Sequence, residues 1–147
     1  MSPPARAGRS AGGSRVASRF EIVSKTVRPL LAEPYAYGTA DCFITALAVA
    51  DALGGTEIAK IYRGRYRTKT GAGRLLRRLG HSSLVTLVDT HFQRCAPAEA
   101  RVGDIAIVLA EDGEHLAVCA GQAFIVKTER GRRDFPVSTC IAAYRAG

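Results

Sequence analysis

The stretch Cys42 to Leu53 (CFITALAVADAL) constrains the fold more than any other part of the chain. Apolar residues occupy nearly every face of it at helical spacing, so a helix here has to be covered on most sides. Thr39 or Asp41 can cap its start. Gly54-Gly55 stops it. Such a helix belongs at the centre of a domain, with other elements wrapped around it. A chain of 147 residues, 47% of them hydrophobic, supplies enough apolar material for one such domain.

The remaining elements follow from local pattern. Residues 1–18 are rich in Ser, Gly, Pro, Ala and Arg and read as a flexible basic arm. The domain proper runs over 19–147. Phe20, Val23, Val27 and Leu30 recur at helical spacing, with Pro29 expected to end or kink that helix near Val27 or Arg28. Residues 57–70 read as basic and irregular. Ala72 to Leu79 reads as a short helix with its leucines inward and its arginines outward, ended by Gly80. Everything beyond reads as strands: 84–88, 104–110, 115–120, 123–128 and 139–144, with turns at Glu111-Asp112-Gly113 and Gly121-Gln122. Helices first and an antiparallel meander later make an α+β domain.

Charge and cysteine usage bound the function classes. The net charge is +8, and its distribution is uneven. Residues 1–19 carry four Arg and no acid, and residues 58–88 carry eight Lys or Arg and no acid. A basic surface attracts polyanions and acidic protein faces. Nucleic acid ranks last among partner classes, because charge alone supports it and no binding motif accompanies it. No apolar run approaches the ~20 residues of a membrane helix, and no signal-peptide h-region is seen at the N-terminus. The four Cys (42, 95, 119, 140) form no CxxC pair and the three His (81, 91, 115) no HxxxH pair, so neither a metal nor a cofactor is expected. Free thiols are the default.

Two residues carry candidate chemistry. Cys42 stands at the first turn of the central helix, where unpaired backbone N–H groups and the helix dipole favour an anion. That position is expected to shift its thiol toward thiolate, the nucleophilic form. Gly38, in the loop before it, permits a close backbone approach. His115 opens a strand just past a polar turn, where an imidazole can serve as base to a thiol. Cys119 reads as core packing, Asp41 as a cap or loop anchor, and Cys95, Cys140, His81 and His91 have no chemical context.

The order of these features resembles the NlpC-type cell-wall cysteine peptidases, circularly rearranged relatives of papain. Tyr35-Ala36-Tyr37-Gly38 and Asp41-Cys42 match the aromatic-Gly loop and the Asp-Cys pair opening the central helix. Gly103-Asp104 and His115 through Gly121 match the Gly-Asp strand start and the base-bearing strand. The likeness covers residues 20–130. It departs where Phe43-Ile44 replaces the usual Ser-Gly after the nucleophile. It departs again where Val126, Lys127 and Thr128 stand near the family's imidazole-orienting position. Lys cannot accept the imidazole N–H, so Thr128 is the candidate third residue. Arg63-Gly64-Arg65-Tyr66 and the helix after it add a closer likeness to small phage tail-cluster proteins of this group.

The resemblance implies a papain-like fold with N-terminal helices packed on a small antiparallel sheet. It implies a tail-associated peptidase or amidase cutting peptidoglycan stem peptides during cell-wall penetration. Cys42 would attack and His115 would move the proton. Tyr35, Tyr37 and Asp41 would line the substrate and oxyanion side. The alternative is a catalytically weak tail structural protein that docks to tail-tip or hub proteins, the basic arm included. The implied setting is the virion tail, made in the host cytoplasm.

Overall fold

The computed structural model describes residues 17–147. It has five α-helices followed by a six-stranded antiparallel sheet. Helix α1 spans Arg19–Ala32, α2 Cys42–Gly54, α3 Ile58–Tyr62, α4 Lys69–Arg78 and α5 Leu84–Asp89. The strands are β1 Arg94–Cys95, β2 Ile105–Ala110, β3 Gly113–Cys119, β4 Phe124–Thr128, β5 Gly131–Phe135 and β6 Cys140–Tyr144. Their order across the sheet is β1-β6-β2-β3-β4-β5.

The central helix is where the sequence places it. Ile44, Leu47 and Val49 are fully buried, packed with Ile105, Ile107, Leu116 and Val118 from one face of β2 and β3. Alternate residues of the same strands, Ala106, Val108, Ala117 and Cys119, join Phe124, Val126 and Phe135 in a second cluster on the opposite face. The sheet is therefore buried on both sides near its middle, which explains why β2 is apolar throughout.

Several elements differ from the sequence reading, each for a definable reason. Pro29 does not end α1, which continues to Ala32. Proline near a helix end removes only one hydrogen bond, and a carbonyl that the helix end leaves open finds a partner on the sheet. Lys127, buried on β4, donates from Nζ to the Leu30 carbonyl at 2.6 Å. Residues 84–88 form helix α5 rather than a strand. The Ser83 hydroxyl accepts from the Val85 N–H, and the Glu114 carboxylate of β3 accepts from both Ser83 Oγ (2.7 Å) and the Leu84 N–H (3.0 Å). Capping from a distant strand overrides the β-branched composition. Within the basic segment, α3 forms because Asp51 of α2 accepts from the N–H groups of Ile58 and Ala59, both at 2.9 Å. The exposed, Arg-rich β5 pairs along the whole of β4.

The expected flexible arm falls largely on residues 1–16, outside the described residues. Ser18, assigned to it from composition, is instead the N-cap of α1 in a reciprocal capping box with Glu21. Among the described residues no helix is long and apolar enough to cross a membrane.

Candidate active site

The site assembles where the start of α2 meets the start of β3. The loop before α2 is held by Asp41, which is buried with both oxygens engaged. Its Oδ1 accepts from the Ile44 N–H (2.9 Å), capping α2. Its Oδ2 accepts from the Gly38 N–H (2.9 Å) and from the Tyr66 hydroxyl (2.6 Å). Gly38 adopts φ +86°, and a Cβ there would lie 2.0 Å from the Tyr66 carbonyl oxygen, so only glycine lets the two segments touch. This is the close approach that Gly38 suggested. The Arg63–Tyr66 segment proves to be the strap across the loop, with the Gly64 N–H donating to the Gly38 carbonyl (2.9 Å).

This local structure presents the Cys42 side chain to β3. Cys42 Sγ lies 3.8 Å from His115 Nδ1, within reach for transfer of a thiol proton. On the other side of the ring, His115 Nε2 lies 2.7 Å from Asp112 Oδ1. The imidazole partner holds the Asp112 carboxyl below its usual range, opposed by partial desolvation. A carboxylate only accepts hydrogen bonds, so the ring must carry its hydrogen on Nε2. That leaves the Nδ1 lone pair facing the thiol. Cys42, His115 and Asp112 thus stand in the order that a nucleophile, base and orienting acid take in a thiol hydrolase.

The orienting residue is therefore not Thr128. Its hydroxyl donates to the Gly131 carbonyl (2.6 Å) and accepts from the Arg130 N–H (3.2 Å), closing the β4–β5 turn. Asp41 also borders the cleft, with its oxygens accepting from Gly38, Ile44 and Tyr66. Tyr35 and Tyr37 both line the cleft, packed edge to face at 5.2 Å. The Tyr37 hydroxyl is turned toward Glu129 Oε1 (3.1 Å). The Tyr35 hydroxyl is the one beside the Cys42 backbone N–H. Burial and then the Cys42 side chain raise its pKa, while the Cys42 backbone N–H pulls the other way.

The thiol departs from the expectation for a helix start. Burial and the nearby Asp41 push the Cys42 pKa up to about 12, against the opposing backbone N–H groups of Leu116, Cys42 and Phe43. The helix-end stabilisation exists but desolvation outweighs it. In the resting site Cys42 is a neutral thiol. Its alkylation by iodoacetamide should accelerate about tenfold per pH unit from pH 7 to 10, following the thiolate fraction. A rate that levels off below pH 8 would show instead a thiol activated at rest.

The cleft holds about 270 Å³, with Cys42 and His115 in its lining. Among the described residues no group of three or more His, Cys, Asp or Glu is placed to hold a metal ion.

Comparison with known proteins adds one finding. Residues 14–146 match the family model described as Domain of unknown function (DUF6950). No curated protein and no solved structure matches the chain.

Proposed function

The chain belongs to the DUF6950 family, and from that premise and the geometry above we propose that it is a cysteine hydrolase of the peptidase or amidase type. The observation that carries this reading is the alignment of Cys42 Sγ, His115 and Asp112 at 3.8 and 2.7 Å. His115 Nδ1 takes the thiol proton as Sγ attacks the carbonyl carbon. The oxyanion forms beside the Cys42 N–H and the Tyr35 hydroxyl, two donors positioned for developing charge. The imidazolium returns the proton to the leaving amine, and water then releases the acyl group from the thioester. Because the resting thiol is neutral, proton transfer accompanies attack rather than preceding it.

The motif order shared with NlpC-type enzymes supports a papain-like arrangement and makes peptidoglycan stem peptides the substrate class to examine first. The likeness of Arg63-Gly64-Arg65-Tyr66 and the following helix to phage tail-cluster proteins supports a phage-tail setting, with tail-tip or hub proteins as docking partners. A second reading is a tail structural protein of the same fold with little or no turnover, which the raised Cys42 pKa favours.

Incubation with purified muropeptides, followed by mass spectrometry for newly freed amines, separates the two. Cleavage by the full chain, absent in Cys42→Ala, is the result expected of an enzyme. Products no more abundant than in that variant, from a folded protein, would leave the structural role.

A further inference from the structure

We propose that the cleft beside Cys42 is a subsite for an aliphatic chain that the substrate carries next to the carbonyl under attack. The inference rests on the thiol-hydrolase reading, not on a stem-peptide substrate, and it specifies the group which that site accepts. Besides Cys42 and His115 the cleft is walled by Phe43 of α2, Leu75, Leu76 and Leu79 of α4, and Leu84 and Leu87 of α5. Its charged neighbours are already engaged by the protein. Asp41 is committed to Gly38, Ile44 and Tyr66. Glu114 caps α5, and Asp112 holds His115. Lys69 rests against the Asp112 carbonyl (3.3 Å) and carboxylate (3.9 Å). The Tyr62 hydroxyl is taken by His91 at 2.6 Å. Lys69 and Asp112 are mostly exposed, and the buried polar groups in this list are satisfied within the protein, so the apolar walls offer no buried partner to a charged substrate side chain.

The α4 wall supplies an independent indication. Ala72 and Gly73 face the same cleft. A Cβ on Gly73 would meet only the tip of the Arg77 side chain, at 3.4 Å. Packing does not demand a glycine there, and glycine weakens a helix interior. What its small size does provide is open volume. At about 30 Å³ per water-sized group, the cleft of about 270 Å³ has room for a chain of up to about nine carbons. Filling it would remove the leucine walls from water.

N-alkylmaleimides test this without requiring turnover. The full chain is treated with the ethyl, butyl and hexyl reagents, and the rate at each cysteine is read by peptide mass spectrometry, with Cys95 as internal reference. Each methylene is worth up to about fourfold. The Cys42 rate should therefore rise at least about tenfold from ethyl to hexyl, beyond any change at Cys95. Ala72→Phe should flatten that series by filling the cleft, and Leu76→Asp should flatten it by making the wall polar. Equal chain-length dependence at Cys42 and Cys95, an unaltered series in a folded Ala72→Phe protein, or a Cys42 that reacts with no reagent would each overturn the proposal. A chain-length preference without hydrolysis of any substrate would count against the hydrolase reading alone. Hydrolysis indifferent to chain length would count against the subsite alone.

Discussion

Replacing Asp104 by alanine is expected to lower the thermal midpoint by about 10 °C or more, the largest stability loss of any single polar substitution argued from this structure. Asp104 is a fully buried carboxylate at the entry to β2. Its Oδ1 accepts from the Ala146 N–H (2.9 Å) and Arg19 Nη2 (3.1 Å). Its Oδ2 accepts from the Arg101 N–H (2.8 Å) and Arg145 Nη1 (3.1 Å). Burial alone would raise the carboxyl pKa. The N–H groups of Arg101 and Ala146, with the guanidinium groups of Arg101 and Arg145, reverse that and hold it below its usual value. One side chain thus ties the first residue of α1 to the end of β6 and to the turn before β2. Removing one partner of a buried charged cluster costs about 3–5 kcal/mol, because the remaining charges and N–H groups lose their compensation. For a chain of this size each kcal/mol moves the midpoint by about 2–4 °C, so the middle of both ranges gives a loss above about 10 °C. A midpoint within about 3 °C of the parent, read by calorimetry, would contradict the argument. The pH dependence has a defined sign. The folded pKa is depressed, so this stabilisation is present above the unfolded carboxylate value of about 3.9 and is lost as pH falls below it.

Gly103-Asp104 shows what sequence reading can and cannot reach. The pair was visible as a motif at a strand start, yet its purpose is structural. Gly103, at φ +90°, sits where a Cβ would meet Leu53 Cδ1 at 2.5 Å and Val23 Cγ2 at 2.6 Å, and Asp104 gathers its arginines. The buried helix α2 and strands β2 to β4 were legible because hydrophobic period and turn residues agree over their whole length. Helix α5 was not. Leu84–Val88 looks like a strand locally, and the deciding carboxylate, Glu114, is 30 residues away. The Cys42 setting divides in the same manner. Its helix-start position is local and was readable, whereas the burial that raises its pKa comes from elements distant in sequence.

Asp112 was legible only as a turn residue, because Glu111-Asp112-Gly113 has ordinary hairpin composition. The available signal was an acid three positions before the candidate base, across a glycine. In the β2–β3 hairpin, Ala110 pairs with Gly113 and Val108 with His115, so the turn folds Asp112 back over the ring. Tyr66 carried a comparable signal in the Arg-Gly-x-Tyr segment, but nothing in the sequence indicates that its hydroxyl reaches Asp41.

Asp112→Ala is expected to reduce kcat by about two to four orders of magnitude, the range of a lost contribution to general acid–base catalysis. Asp112 does not touch the substrate carbonyl in the proposed reaction. It acts through His115, fixing the hydrogen on Nε2 so that Nδ1 can receive the Cys42 proton, and stabilising the imidazolium that forms. Without the carboxylate the ring can turn, or carry its hydrogen on the nitrogen that faces the thiol, and either change removes the base. Three further readouts distinguish positioning from a merely structural role. KM should stay within about threefold of the parent, because Asp112 contributes transition-state rather than ground-state interactions. The thermal midpoint should move by only about 2 °C or less, since the side chain is more than half exposed and its pair with Lys69 spans 3.9 Å at the surface. Asp112→Glu should recover part of the lost kcat, because the acceptor is retained on a longer arm. If Asp112→Ala kept more than half of the parent's kcat, His115 would need another orienting partner. If the alanine and glutamate variants lost activity equally, the turn's shape rather than the carboxylate would be what the reaction requires.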